Sequence, residues 1–474
     1  MKQEILRIEN ILAREQGIKT LDNFFMNLYK GELLGVFANN ATDKRHFIDL
    51  ICGEIDIERG RICYANKPVD MVKYKIIRRQ KISHIQPKSK LVDDLTIASN
   101  IFVVRDGFKQ QLIHEKTIEM QASLLMEELG FKLKPDLYVY RLTRYEKLMI
   151  EITKAFGRGA EIMIFEDLSK YLTDQEINHV KKLILMLRRK GMSILIIDSY
   201  TNVLTGITDR VMILQNGRNL WTFEGQAFDK PAVDTLFNQA IKKNRLNEYY
   251  TESSDEVICF DKVSTKNVCN LSFKIHGGQI LSLFDGDGKG VEDIKAILEG
   301  DNHTYKGSIT LGAQKFKSKN PWQSVKKKIG FVSENPQELM IFDNLSAIDN
   351  LTYAALNKVG NVLFSKQYYK SIIEDYKSYF SHGALLKHTE KLSTYDRHRL
   401  AYLKWHLYNP KLVVCIRPFS SVDMALKETT LQLMEALLKK GIAILILSSN
   451  YEEVSTVGKI IDISSKEYPL SSKE

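Results

Sequence analysis

The sequence predicts two tandem α/β domains, and three observations carry that expectation. The first is repetition. GELLGVF at 31–37 returns as GGQILSLF at 277–284, LTIASNIF at 95–102 as LSAIDNLT at 345–352, RLTRYEK at 141–147 as KLSTYDR at 391–397, and GMSILIIDSY at 191–200 as GIAILILSSN at 441–450. The last three pairs share one offset of 250 residues (95 to 345, 141 to 391, 191 to 441), which marks a tandem duplication rather than a solenoid. The second is pattern. IMIF at 162–165 and ILII at 194–197 flank the helical stretch INHVKKLILMLRRKG, and LVVCI at 412–416 and ILIL at 444–447 flank LKETTLQLMEALLKKG. Uninterrupted apolar strands separated by such helices form parallel sheets covered on both faces. The third is length, since 474 residues exceed one ordinary core.

The boundaries follow from the repeats. A first domain spans 1–245, the polar stretch 246–255 is the linker, and a second domain starts with the strand pattern VICF and spans 256–474. With 44% apolar and 27% charged residues the composition is that of an ordinary soluble globular protein, and no run approaches 18 apolar residues, so no transmembrane segment is expected. The N-terminus MKQEILRIENIL alternates charge through its apolar positions, unlike a signal peptide. The five cysteines share no metal-ligand spacing and are read as reduced core thiols of a cytoplasmic protein. A net charge of +10 is spread thinly over short runs such as LRRKG and KKK without interleaved aromatics, so no nucleic-acid partner is expected.

Other residues carry a family likeness. LSTYDRHRLAYLKWHLYNPKLVV at 392–414, with its Lys404-Trp405 and Asn409-Pro410 pairs, resembles the second signature helix of the duplicated ATP-binding subunit of bacterial carbohydrate ABC importers, the ribose and galactose type. VSE at 332–334 is similar to that family's acidic variant of the glutamine loop, and LTIASNIF to the segment following its first glutamine loop. The likeness runs in order through nearly the whole chain. It implies two ABC-type nucleotide-binding domains, each a P-loop core sheet plus a helical subdomain, folded head-to-tail around ATP and Mg²⁺ beneath a membrane permease.

Carried over residue by residue, the likeness places a phosphate loop at ANNATDKRH, 38–46. Such a loop needs glycines for close backbone approach to phosphate, a lysine for the β/γ oxygens and a hydroxyl for Mg²⁺. Here Ala38, Ala41 and Asp43 hold the glycine positions, Lys44 the lysine, and Arg45 and His46 the hydroxyls, with Asn40 and Thr42 between them. A non-glycine forced left-handed costs about 1–2 kcal/mol. Asp43 sets a negative charge beside a polyanion, Lys44 reads most simply as a solvated lysine at a helix start, and Arg45 could add a phosphate contact. In the second half DGDGKGVED, 285–293, retains Gly288 and Gly290, so the loop can bend, but Val291 replaces the lysine and Asp285, Asp287, Glu292 and Asp293 crowd the anion's place.

The remaining motifs diverge as well. The family's acidic dyad aligns with Glu166-Asp167, both carboxylates in swapped order, and with Ile416-Arg417, which has neither; these two acids are the weak catalytic candidates. Pro418 stands where the family has proline, and Asp423 matches its D-loop aspartate. The signature motif becomes LTRYE and LSTYD, so Thr143 and Ser393 survive as hydroxyls while Tyr145 and Tyr395 take a glycine position, blocking the γ-phosphate or replacing it by packing. The switch histidine aligns with Tyr200 and Ser449, the adenine-stacking aromatic with Glu15, and the first glutamine with Pro87, one residue past Gln86.

Phosphoryl transfer rests on positioning and charge neutralisation, and these groups are altered together. The leading expectation is therefore a pseudo-ATPase with no assured cofactor and no metal, ATP and Mg²⁺ entering only through the resemblance. Its expected partners are a sugar permease, docked through 84–102 and 332–352, or an active ATPase paralogue, and its place is the cytoplasm or the inner face of the plasma membrane. Two alternatives stand beside it: an active energising subunit with atypical motifs, and a soluble regulatory binding protein.

Overall fold

The computed structural model describes residues 3–15, 18–38, 40–102, 115–229, 231, 246, 249, 255–302, 304–359, 366–381, 383–420, 422, 424–455 and 457–464. The chain divides into two compact units, Met1–Ala240 and Ile241–Glu474. Of the expected linker 246–255 only Leu246, Tyr249 and Asp255 are described; Leu246 is buried in the second unit's core and the Tyr249 hydroxyl donates to Glu435.

In the first unit a six-stranded sheet runs in the order Arg218–Glu224, Arg210–Gln215, Leu33–Ala38, Ser193–Asp198, Ile162–Glu166, Ile82–Ile85. All neighbours are parallel except the edge pair 210–215 and 218–224. Strands Leu33–Ala38 and Ser193–Asp198 are buried at every position, which is why they read as unbroken apolar runs. One face packs on the helices Arg144–Gly157 and Asp174–Arg189. The other packs on the helix Ala41–Cys52 and on an antiparallel sheet ordered Ile18–Tyr29, Glu4–Glu15, Arg59–Tyr64, Lys67–Val69. Leu91, Ile97, Ile101, Met126 and Ile150 form a separate small core among the helices, the expected helical subdomain.

The second unit follows the same plan. Its five parallel strands are ordered Ile329–Val332, Leu412–Ile416, Ala443–Ser448, Ile280–Phe284, Lys459–Asp462, beside an antiparallel sheet of Leu271–His276, Glu256–Ser264, Lys306–Leu311 and Gln314–Lys315. The Lys-Trp pair of the long helix Thr394–Tyr408 has a structural use here: Trp405 donates to the Phe331 carbonyl at 2.8 Å and its ring lies against Gly330. Lys404, half-buried beside it, donates to the Met340 carbonyl at 3.0 Å.

One expectation is corrected. Cys52, Cys63 and Cys415 are buried, but Cys259 is half-buried and Cys269 is exposed, because the latter lies in the 265–270 loop between two strands. No helix among the described residues is long and apolar enough to cross a membrane.

Candidate functional site

In parallel α/β sheets ligands bind beyond the carboxyl ends of the strands. The register of the first unit brings Ala38, Glu166 and Asp198 together there, since Phe37 pairs with Asp198 and Glu166 with Ile197. Asn39 lies outside the described residues. Asn40 is extended (φ −129°, ψ 149°) and caps a helix that begins at Ala41, its side chain accepting the Asp43 N–H at 2.6 Å. The loop expected through Asp43 is thus already helical from Ala41, and neither Ala38, Ala41 nor Asp43 has positive φ. The left-handed strain expected at the missing glycines is absent because the helix starts early and no cradle is wound.

Asp43, Lys44, Arg45 and His46 each have a partner that the sequence did not reveal. The Asp43 carboxylate is buried and accepts the backbone N–H groups of Asn216 (2.7 Å) and Gly217 (2.9 Å) and the Asn40 amide (2.6 Å). Its charge is stapled to the 215–218 hairpin rather than held toward a ligand. Lys44 is buried, not solvated: its ammonium donates to Asp167 at 2.5 Å and Ser199 at 3.0 Å. Arg45 pairs with Glu15 at 2.6 Å, and the buried His46 ring lies 3.1 Å from the same carboxylate. Glu15, at the position of the adenine-stacking aromatic, therefore anchors this helix start. Thr42 is exposed.

The acidic dyad divides between two networks. Asp167, itself left-handed (φ 49°) and buried, is clamped by Lys44 and by Lys170, each at 2.5 Å. Burial pushes its carboxyl up, yet the two ammonium groups outweigh that and hold it below the usual range. Asp198 accepts the N–H and hydroxyl of Ser169 and the Tyr200 N–H; burial, with the Asp167 charge, pushes its carboxyl up to about 6. Glu166 instead takes the His84 ring at 2.8 Å, and that ring's other nitrogen lies 3.6 Å from the Cys52 sulfur and 3.2 Å from the Gln86 amide. Burial lowers the His84 pKa, but Cys52 and Glu166 together raise it to about 9.

A test follows. A folded-state pKa raised above the ordinary 6.5 means that His84 contributes stability fully present below about pH 6.5 and lost as pH rises through about 9. Titration of the His84 ring by NMR is expected to give a midpoint near 9, and Glu166→Gln to lower it by roughly one unit or more, as one charged hydrogen bond is removed. An unmoved midpoint would dissolve the pair.

The signature segments form ordinary caps. Thr143 and Glu146 make a reciprocal capping box at the start of Arg144–Gly157, and Tyr145 packs half-buried on the sheet's core. Ser393 accepts the Asp396 N–H at 3.1 Å, while Tyr395 is 36% exposed and so serves as surface. Tyr200 is a core residue that starts the helix Thr201–Leu204, and the buried Ser449 precedes the cap Asn450. Asp423 lies outside the described residues.

In the second unit Gly288 (φ 77°) bends the loop as expected, but two of its N–H groups are already taken: Asp285 accepts that of Gly290 at 2.5 Å and Asp287 that of Lys289 at 2.9 Å. The expected crowding of four carboxylates is corrected. Asp293 turns away to Thr265 (2.6 Å) and Asn267, and Glu292 pairs with Lys295, because the helix Lys289–Glu299 carries both off the loop. Val291 is buried in the core, and Arg417 reaches Glu334 at 3.4 Å. Among the described residues no group of three His, Cys, Asp or Glu could hold a metal ion.

Residues 21–168 match the ABC transporter family model. Over 470 residues the chain is 25% identical to the ribose import ATP-binding protein RbsA of Caldanaerobacter subterraneus subsp. tengcongensis, covering 96% of this chain and 93% of that one. The similarity to ABC-type import ATP-binding proteins thus runs through both units of the chain. It is also 24% identical to a putative ribose/galactose/methyl galactoside import ATP-binding protein of Agrobacterium fabrum, over 95% of its own length and 90% of that protein's. The cbiO1 structure from Clostridium perfringens aligns with a TM-score of 0.44 at 19% identity, over 50% of this chain and 96% of that one.

Proposed function

We propose that this ABC-type chain serves a carbohydrate importer as a noncatalytic cassette, docked on a membrane permease at the inner face of the plasma membrane or occupying the place of an active ATPase paralogue. The full-length similarity to sugar-import ATP-binding proteins supports the transport class. One observation supports the noncatalytic part above the others: the single lysine of the phosphate loop is buried in an ion pair with Asp167, itself held by a second lysine. A polyanion would have to break that pair, and a buried ion pair losing one partner costs about 3–5 kcal/mol.

The residues present do not fit Mg²⁺–ATP. Arg45 and His46 stand where a hydroxyl would hold the metal and are engaged with Glu15. In the second loop carboxylates accept the N–H groups that a phosphate would need. No hydrolytic step is assigned to these groups.

The test is affinity purification of the tagged chain from detergent-solubilised membranes, with MgATP turnover measured on the eluate. An integral membrane permease in the eluate, and no turnover in a complex whose only cassette is this chain, is the expected outcome. Mg²⁺-dependent turnover by that complex sinks the noncatalytic reading, and an eluate free of membrane protein sinks docking.

A further inference from the structure

A cavity of about 220 Å³ opens in the first unit where the end of the helix Met71–Lys81 and the strand Ile82–Ile85 meet the end of the helix Arg144–Gly157. Its wall carries Arg78, Arg79, Lys90, Lys154 and Arg158 against one acid, Glu151. We propose that this cavity is a binding site for a small oxyanion, a phosphate or phosphomonoester. The proposal is independent of the noncatalytic reading of the nucleotide crevice.

The cations are not there to neutralise one another's neighbours. Glu151 is buried, and its carboxylate is already used by the Ser89 hydroxyl (2.9 Å) and the Lys90 N–H (2.6 Å). Arg79, Lys90 and Lys154 enter no ion pair among the described residues. Arg78 gives one nitrogen to the Cys52 sulfur, while its Nε is buried without a hydrogen-bond partner. Burial, and the like charge of Arg158, pull the Lys154 ammonium below its ordinary value. The carboxyl ends of the two helices offset part of this repulsion, each worth about 0.3–1 kcal/mol to a nearby cation. They do not supply the missing acceptors. An oxyanion does both, taking donors from a guanidinium fork and an ammonium at once.

Shape narrows the ligand. At about 30 Å³ per water the space holds roughly seven waters, enough for a phosphate and a short carbon skeleton. No Phe, Tyr or Trp lines it, and the one ring in the wall, that of His84, is held by Glu166, so there is no free platform for stacking a base. The wall also includes His84, whose ring is tied to Glu166, so occupancy of the cavity lies one residue from the acidic dyad.

The experiment is calorimetric titration of the full chain, at low salt, with inorganic phosphate and with glycerol 3-phosphate. One site per chain is expected, weakened at least tenfold in Arg79→Ala/Lys154→Ala and unchanged in Lys67→Ala/Lys132→Ala, which removes the same charge from exposed positions elsewhere. Thermal melts of both pairs check that the fold is retained, and Arg79→Ala alone, at an exposed side chain, provides a second variant expected to weaken binding severalfold. Tighter binding of the ester supports a metabolite as the source, and equal binding supports free phosphate. Absence of heat into the tens of millimolar, or equal weakening by the two pairs, overturns the site.

Discussion

Lys44→Met is expected to destabilise the first unit by about 3 kcal/mol, the order found when one partner of a buried ion pair is removed. The ammonium and the Asp167 carboxylate are 6% and 3% exposed, so water does not replace the lost partner. Ser199 loses its contact with Lys44 in the same step, although its own bond to the Ala38 carbonyl at 2.7 Å remains. Lys170 still faces Asp167 and limits the damage. For a unit of this size the loss corresponds to a fall of roughly 6–12 °C in the unfolding midpoint, read by calorimetry or circular dichroism. Lys44→Met/Asp167→Asn is expected to recover part of it, because no uncompensated carboxylate then remains. A lysine facing an open phosphate site would behave oppositely, leaving the midpoint unchanged.

Sequence reading located the parallel strands because Ile194–Ile197 and Val413–Cys415 are buried on both faces and must be continuously apolar. It located the duplication for the same reason, since each half must cover the same kind of sheet. The roles of the loop residues were less legible. Lys44 and Asp167 are 123 residues apart and Asp43 and Gly217 are 174 apart, and nothing local marks either pair. His84 and Ser199 reach the site through the sheet, and Lys170 and Cys52 through the ends of the helical segments 168–170 and 41–52, placements that only the fold supplies. One signal was local and readable: Asn40 with Asp43, Thr143 with Glu146 and Ser393 with Asp396 are each a cap residue with an acid three positions on. That spacing announces a helix start closed by its own side chains, in the two kinds of motif where the family holds a phosphate.

Asp43→Gly is expected to cost about 3 kcal/mol and to confer no nucleotide binding, although it supplies a glycine that the family's phosphate loop has. The substitution strands the buried N–H of Gly217, worth about 1–3 kcal/mol without an acceptor, leaves that of the exposed Asn216 to water, and adds a helical glycine at about 1 kcal/mol. The hairpin cannot shift to find other acceptors. Gly217 is at φ +69°, and its Cα lies so close to the Thr20 carbonyl that a Cβ would meet the oxygen at 2.2 Å. Asp43→Asn, which keeps one acceptor oxygen, is expected to lose only about half as much. Titration with MgATP distinguishes two meanings of the aspartate. If it is a structural staple, Asp43→Gly melts earlier and gives no heat with MgATP, because Lys44 remains with Asp167. If it is a plug on a live site, the variant keeps its midpoint and binds MgATP in the micromolar range, and the noncatalytic reading of this crevice falls.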